Sequence, residues 1–278
     1  MPGTVLLGID TESASEDSLA FATLGADMFR ELGVPVTWYL TGQTLERYPE
    51  AFRKVDEPGL IDLQAHTYSH MLLKTVYVEP PAGINLHGEI GPHIIRGASP
   101  QEIDEDLGKC QRVFQDALGR RAIGLTGPWC YYRGLGDRPD LLEIVARHGF
   151  KVLRTFGRNE RDGQPVPLEW KPFFYAPQGF PDILEIFIHE YQDDFYWKDF
   201  TQPREGDKYL DYLKKVADKV AKNDLTWSMA SHDHTWADEN RRAEKEEWLT
   251  GLIKYALGLN IRFLTVSQYY EEMLATRA

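Results

Sequence analysis

Short apolar runs alternate with longer amphipathic stretches along this chain, and the alternation starts at once. Val5 to Ile9 is an apolar run that ends abruptly in Asp10 and Glu12, the pattern of a parallel strand buried on both faces. A helical stretch from about Ser15 to Glu31 follows, then a strand at Val36 to Leu40, a helix near Leu45 to Lys54 and a strand at Ile61 to Ala65. Ser99-Pro100-Gln101-Glu102 predicts a helix start, with Ser99 as cap, Pro100 in the first turn and Glu102 closing a capping box. That helix runs to Leu118 and stops at Gly119. Beyond it the pattern predicts strands at Ala122 to Leu125, Val152 to Thr155 and Ile183 to His189, with a helix at Asp140 to His148. The last third predicts helix 207–222, strand Thr226 to Ser231, helix 239–257, strand Arg262 to Val266 and a short closing helix.

Strand and helix in strict alternation imply an α/β fold with a parallel sheet wrapped by helices. Seven or eight core strands favour a closed or nearly closed barrel, and no Gly-rich phosphate loop follows the first strand as a dinucleotide-binding fold requires. Two segments break the rhythm: Val76 to Gly97, and Phe156 to Pro181, which is rich in aromatics and prolines. Both are too long for simple connectors and read as loops that shape a pocket. One large domain spanning 1–278 accounts for the whole chain.

Composition narrows the partners. With 43 acidic against 31 basic residues and a formal charge of −12, the chain lacks the positive surface that nucleic acid demands. Cys110 and Cys130 are the two cysteines, too few for a disulfide framework. No apolar stretch is long enough for a membrane span, and the first residues enter a strand without the charged and apolar regions of a signal peptide. The expectation is a cytoplasmic protein that binds neither membrane nor nucleic acid; homo-oligomerisation is compatible with it.

Candidate chemistry concentrates at strand ends. In α/β folds sites form at the carboxyl ends of the strands, which is where Asp10, Glu12 and His66 fall. His66 and His70 are four residues apart, so both imidazoles reach one side of a turn and can share one divalent ion. The spacing alone is weak evidence; with two carboxylates at the end of a neighbouring strand it predicts a metal site and a general base beside it.

These residues resemble the polysaccharide deacetylase family, the NodB-homology or family 4 carbohydrate esterases, over most of the chain. Gly8-Ile9-Asp10-Thr11-Glu12 resembles the first family motif, which implies Asp10 as general base and Glu12 as metal ligand. His66-Thr67-Tyr68-Ser69-His70 matches the second, which implies His66 and His70 as ligands. Trp227-Ser228-Met229-Ala230-Ser231-His232 resembles the fifth, which implies His232 as catalytic acid. The middle departs from the pattern. Pro128 and Trp129 fit the third motif, but Thr126 stands where the family places an arginine that orients the base. Leu153-Arg154-Thr155 stands where the fourth motif commonly supplies an aspartate. Arg154, one strand over, is a candidate to return the missing guanidinium.

The resemblance implies a distorted seven-stranded (β/α) barrel and metal-dependent hydrolysis of a non-peptide C–N bond, most directly deacetylation of an N-acetylated sugar. The altered middle motifs keep a cyclic imide or ureide open as substrate, and a catalytically silent ligand-binding relative is the third reading. Zinc is the expected ion, with cobalt, nickel, iron or manganese as alternatives. Pro128, Trp129, Arg154 and His234 are the expected substrate contacts for a small molecule or oligosaccharide, with His234, two residues past His232, equally a candidate to support a metal ligand from behind. Trp129, Tyr131, Tyr132, Tyr191, Phe195, Tyr196, Trp197 and Trp236 form an expected aromatic rim.

Overall fold

The computed structural model describes residues 3–78, 93–200 and 205–277. The first apolar run forms β1 (Thr4–Thr11), followed by α1 (Glu16–Ala20), a π-helical turn at Phe21–Gly25 and α2 (Ala26–Leu32). Ser15 caps this helical unit, its side chain accepting from the Asp17 N–H, and Gly33 ends it in the left-handed conformation. After β2 (Val36–Leu40) the expected single helix is two, α3 (Gly42–Arg47) and α4 (Pro49–Val55). The reason is Pro49, which disfavours helical geometry at Tyr48; Tyr48 accordingly takes φ −129°, ψ 49°. β3 (Ile61–Ala65) comes next, then a small hairpin of β4 (Val76–Val78) and β5 (His93–Ile95) inside the first long loop. Residues 79–92 of that loop, with His87, lie outside the described residues.

α5 (Pro100–Leu118) has the expected capping box between Ser99 and Glu102 and ends at Gly119, φ 72°. β6 (Gly124–Tyr132) is longer than the predicted Ala122 to Leu125. Gly127 and Pro128 argue against a strand there, but the ladder to the next strand shifts register after Thr126 and the bulge absorbs them. α6 (Pro139–Arg147), β7 (Val152–Arg158), β8 (Phe173–Tyr175) and β9 (Phe180–Phe187) follow. α7 (Asp193–Phe200) was not expected; its aromatic sequence hides the helix. α8 (Gly206–Asn223), β10 (Thr226–His232), α9 (Glu239–Gly258), β11 (Arg262–Phe263) and α10 (Val266–Ala275) complete the chain.

Strands β10-β1-β2-β3-β6-β7-β9 lie side by side in that order and all run parallel. Among the described residues these are the seven barrel strands, with β8 antiparallel on β9 and β11 added on β1. Just past β9, His189 reaches β10 at the other end of this strand order. Its N–H donates to the Ser228 carbonyl at 2.9 Å, and its Nδ1 accepts from the Ser228 N–H at 3.1 Å. Nε2 then donates to the Trp170 carbonyl at 2.8 Å. Burial lowers His189 to about 4, so a neutral ring replaces a strand pairing.

Two apolar layers follow from the two-residue period of the strands. Val5, Leu7 and Ile9 face outward and join the helices in the main core. Leu6 faces inward with Tyr39, Val152, Leu184 and Ile186, where α10 brings Val266, Tyr269 and Tyr270 against them. This cluster packs α10 beside the early part of β1, and Asp10 and Glu12 stand at that strand's carboxyl end.

Candidate active site

Strand register assembles the site. Asp10 on β1 is paired with His232 on β10, and Ala65 at the end of β3 is paired with Leu125 on β6, which sets His66 beside Thr126. His66 Nδ1 lies 3.2 Å from the Thr126 carbonyl and can only donate to it, which leaves Nε2 facing the cleft. From there Nε2 is 2.9 Å from Glu12 Oε2, and His70 Nε2 is 2.9 Å from the same oxygen. The three ligand atoms lie within 4.8 Å of one another.

The turn carrying both histidines is held in a conformation the chain would not choose unaided. Thr67 and His70 have φ of 56° and 59°, in the left-handed region that costs a non-glycine residue free energy. Asp106 of α5 offsets that cost. Its Oδ1 accepts from the Tyr68 N–H at 2.6 Å, and its Oδ2 accepts from the Ser69 N–H at 3.1 Å and from Ser69 Oγ at 2.6 Å. Thr67 Oγ1 accepts from the Met71 N–H at 2.9 Å.

This donor set fits a divalent ion. With His66 Nδ1 committed to Thr126, a neutral His66 turns a lone pair toward the lone pairs of Glu12. Two acceptors at 2.9 Å require a proton or a cation between them. Nitrogen and carboxylate ligands bind zinc at about 2.0–2.2 Å, a geometry that a cluster of this size accepts. Burial pushes the Glu12 carboxyl up, but the facing imidazoles of His234, His66 and His70 outweigh it and leave the group well below the usual carboxylate range.

Arg154 reaches Asp10 across the barrel interior. Its Nη2 donates to Asp10 Oδ1, its Nε donates to Thr126 Oγ1 at 3.0 Å, and its guanidinium lies 4.1 Å from the centre of the Tyr39 ring. Thr126 in turn donates to the Arg154 carbonyl at 2.9 Å. Gly8 makes this path open, because a Cβ there would collide with Arg154 Nη1. Asp10 and Arg154 are 5% and 1% exposed, so the pair is shielded from solvent screening.

His232 is held from behind by an aspartate that the sequence reading does not single out. The fourth-motif position on β7 carries Arg154, but Asp193, at the start of α7 beyond β9, meets His232 Nδ1 at 2.7 Å. Asp193 also accepts from Ser231 Oγ at 2.7 Å and lies 3.5 Å from Lys245 Nζ. Burial works against a charged ring, yet Asp193 and Asp194 together raise His232 well above the ordinary imidazole range. Burial likewise opposes ionisation of Asp193, and His232 and Lys245 more than reverse it, holding that carboxyl far below its usual value. A ring nitrogen of His232 and one oxygen each of Asp10 and Glu12 fall within 4.8 Å of one another.

The remaining predicted residues are placed as follows. His234 lies on Glu12 Oε1, with its Nε2 at 3.2 Å. Pro128 is buried and Trp129 half-buried in the β6 bulge, where Trp129 and Cys130 have φ of 63° and 44°. Arg158 fixes that bulge, its Nε donating to the Trp129 and Cys130 carbonyls at 2.8 and 3.0 Å. Of the expected aromatic rim, Tyr131, Trp197 and Trp236 are core residues instead, 1%, 5% and 1% exposed. Cys110 and Cys130 are both free and buried.

Comparison with known proteins agrees with this architecture. The sequence profile described as Polysaccharide deacetylase matches residues 5–153, more than half of the chain. The chain belongs to the polysaccharide deacetylase family. Its fold is similar to that of a Mycobacterium smegmatis protein described as a polysaccharide deacetylase, at 16% identity and a TM-score of 0.65 over 99% of this chain and 91% of that one. It is similar to Puue allantoinase at 16% identity and a TM-score of 0.67, over 98% and 90% of the two chains. A pseudoenzyme of the CE4 family from Bacillus anthracis matches at 12% identity and a TM-score of 0.57, over 97% of this chain and 66% of that one. No curated protein sequence matches the chain. Among the described residues no helix is long and apolar enough to cross a membrane.

Proposed function

We propose that this chain is a metal-dependent hydrolase of a non-peptide amide C–N bond, with an N-acetylated sugar as its first-choice substrate. The observation that carries this reading is the convergence of Asp10, Glu12, His66, His70 and His232 at one barrel mouth in a chain of this family. Glu12, His66 and His70 would hold the ion. When bound, it supplies Lewis acidity toward water and a substrate carbonyl.

The protein's own groups supply the proton transfers. Asp10, fixed by Arg154, accepts a proton from the attacking water. His232 donates from its cleft-facing nitrogen to the departing amine nitrogen, because Asp193 takes the Nδ1–H and keeps the ring charged. Candidate occupants for three donors, a base and an acid lie close together, which supports a hydrolase over a catalytically silent relative.

A cyclic imide or ureide is the second reading. It is favoured by the entry of the base-holding guanidinium from β7 rather than from the third motif, together with the fold similarity to an allantoinase. Zinc-loaded protein assayed against acetylated amino sugars, chitooligosaccharides and small cyclic imides and ureides decides between them. Acetate release from an amino sugar supports the first reading, and ring opening of an imide or ureide without acetate release replaces it. Inactivity toward every amide and imide with zinc bound overturns both.

A further inference from the structure

Glu12 has two oxygens, and the site treats them differently. Oε2 faces the two imidazoles of the motif turn, 2.9 Å from each. Oε1 instead meets His234 Nε2 at 3.2 Å. His234 is itself fixed: its ring stacks on His232 with centroids 5.1 Å apart and planes 16° apart, and its Nδ1 lies 3.7 Å from Asp194 Oδ2. Lys245 Nζ ties down the backbone on both sides of Asp233, donating to the His232 carbonyl at 2.6 Å and to the His234 carbonyl at 3.4 Å.

A glutamate carries one more rotatable bond than an aspartate, and a free carboxylate at its end can offer an ion one oxygen or two. With one oxygen engaged by His234, the carboxylate stops turning and only Oε2 remains among the imidazoles. Hydrogen bonds to the outer side of a ligand set its orientation, and their loss typically lowers metal affinity about 10–100-fold.

We propose that His234 is a positioning residue for the metal centre: it holds Glu12 by its outer oxygen and keeps that carboxylate a one-oxygen ligand. His234 is then neither a substrate contact nor a ligand. The proposal rests on the metal-site reading above.

Titration of metal-free protein with Co²⁺, followed by calorimetry and by the visible absorption of the bound ion, tests it without any assay of activity. His234→Leu should weaken binding about 10–100-fold while the absorption continues to report two nitrogen donors. His234→Gln, whose amide N–H reaches Glu12 Oε1, should recover most of the affinity and controls for misfolding. In a Glu12→Asp background, where the carboxylate ends one carbon short of His234, adding His234→Leu should change little further.

Unchanged Co²⁺ affinity in His234→Leu overturns the proposal. So does a spectrum that loses a nitrogen donor, since His234 would then be a ligand. A wild-type protein that binds no Co²⁺ overturns the metal centre itself, and with it this role of His234.

Discussion

The two sides of the barrel mouth are built differently. On the β1 and β3 side the candidate ion-binding groups come from short stretches of sequence, Glu12 just past β1 and His66 to His70 just past β3, and the turn between the two histidines is fixed by Asp106 of a single helix. The candidate proton-transfer groups instead depend on partners far along the chain: Asp10 meets Arg154, and His232 meets Asp193, which Lys245 also approaches. The first side needs local geometry. The second exists only once β7, β9 and β10 have been brought round to β1. Loss of the first should remove the ion, whereas loss of the second should leave the ion bound and the chemistry impaired.

The largest effect is expected on the local side. His66→Ala or His70→Ala should abolish stoichiometric metal binding, because a site with three protein ligands loses most of its affinity with one of them. Metal analysis of the purified variants checks this, and full metal content in both would dissolve the distinction between the two sides.

Asp10→Asn comes next. It preserves shape and the donor groups on Glu12, His66 and His70, so the ion should stay while turnover falls about 10²-fold or more, as for loss of a general base. Metal content and rate measured on one sample separate the two quantities. An asparagine enzyme as fast as the wild type removes Asp10 from the mechanism.

Asp193→Asn should have the smallest effect at neutral pH and a larger one above it. In the wild type His232 is raised well above its ordinary value, so the acid form persists on the alkaline side and activity falls only when that proton is lost. Without the Asp193 charge, His232 loses its proton at lower pH, and the alkaline limb of the pH–rate profile should move toward neutrality. The same sign holds for stability: a raised histidine stabilises fully below its unfolded value and stops doing so as pH rises through its folded one. An alkaline limb that stays in place would show that Asp193 has only a packing role.

What could be read from the sequence divides along the same line. The strands ending in Asp10 and His66, and the His-x3-His spacing, are local patterns that survive without knowledge of the fold. Asp106 left a signal that could have been found: it is a charged residue among Ile103, Leu107, Cys110 and Phe114 on the buried stripe of α5. Asp193 left one too, since it follows closely on the strand ending near His189, but neighbouring aromatics drew the segment toward a rim. Arg154 was legible as a candidate; its contact with Asp10 depends on Thr126 and Gly8, two small residues on different strands. The β6 bulge was hidden because proline and glycine normally exclude a strand, and only the register shift to β7 admits them. Tertiary pairing decides all of these.

Gly8 also couples two positions that are far apart in the chain. Its missing side chain leaves room for the Arg154 guanidinium that meets Asp10, so a side chain at position 8 would press on that guanidinium. An alanine there would have to displace the end of the Arg154 side chain, and with it the contact to Asp10. Thr126, which donates to the Arg154 carbonyl and accepts from its Nε, marks the doorway that this barrel has closed. Among the described residues Arg154 is the guanidinium held against Asp10, and the strand that delivers it is a matter of which wall has been left thin.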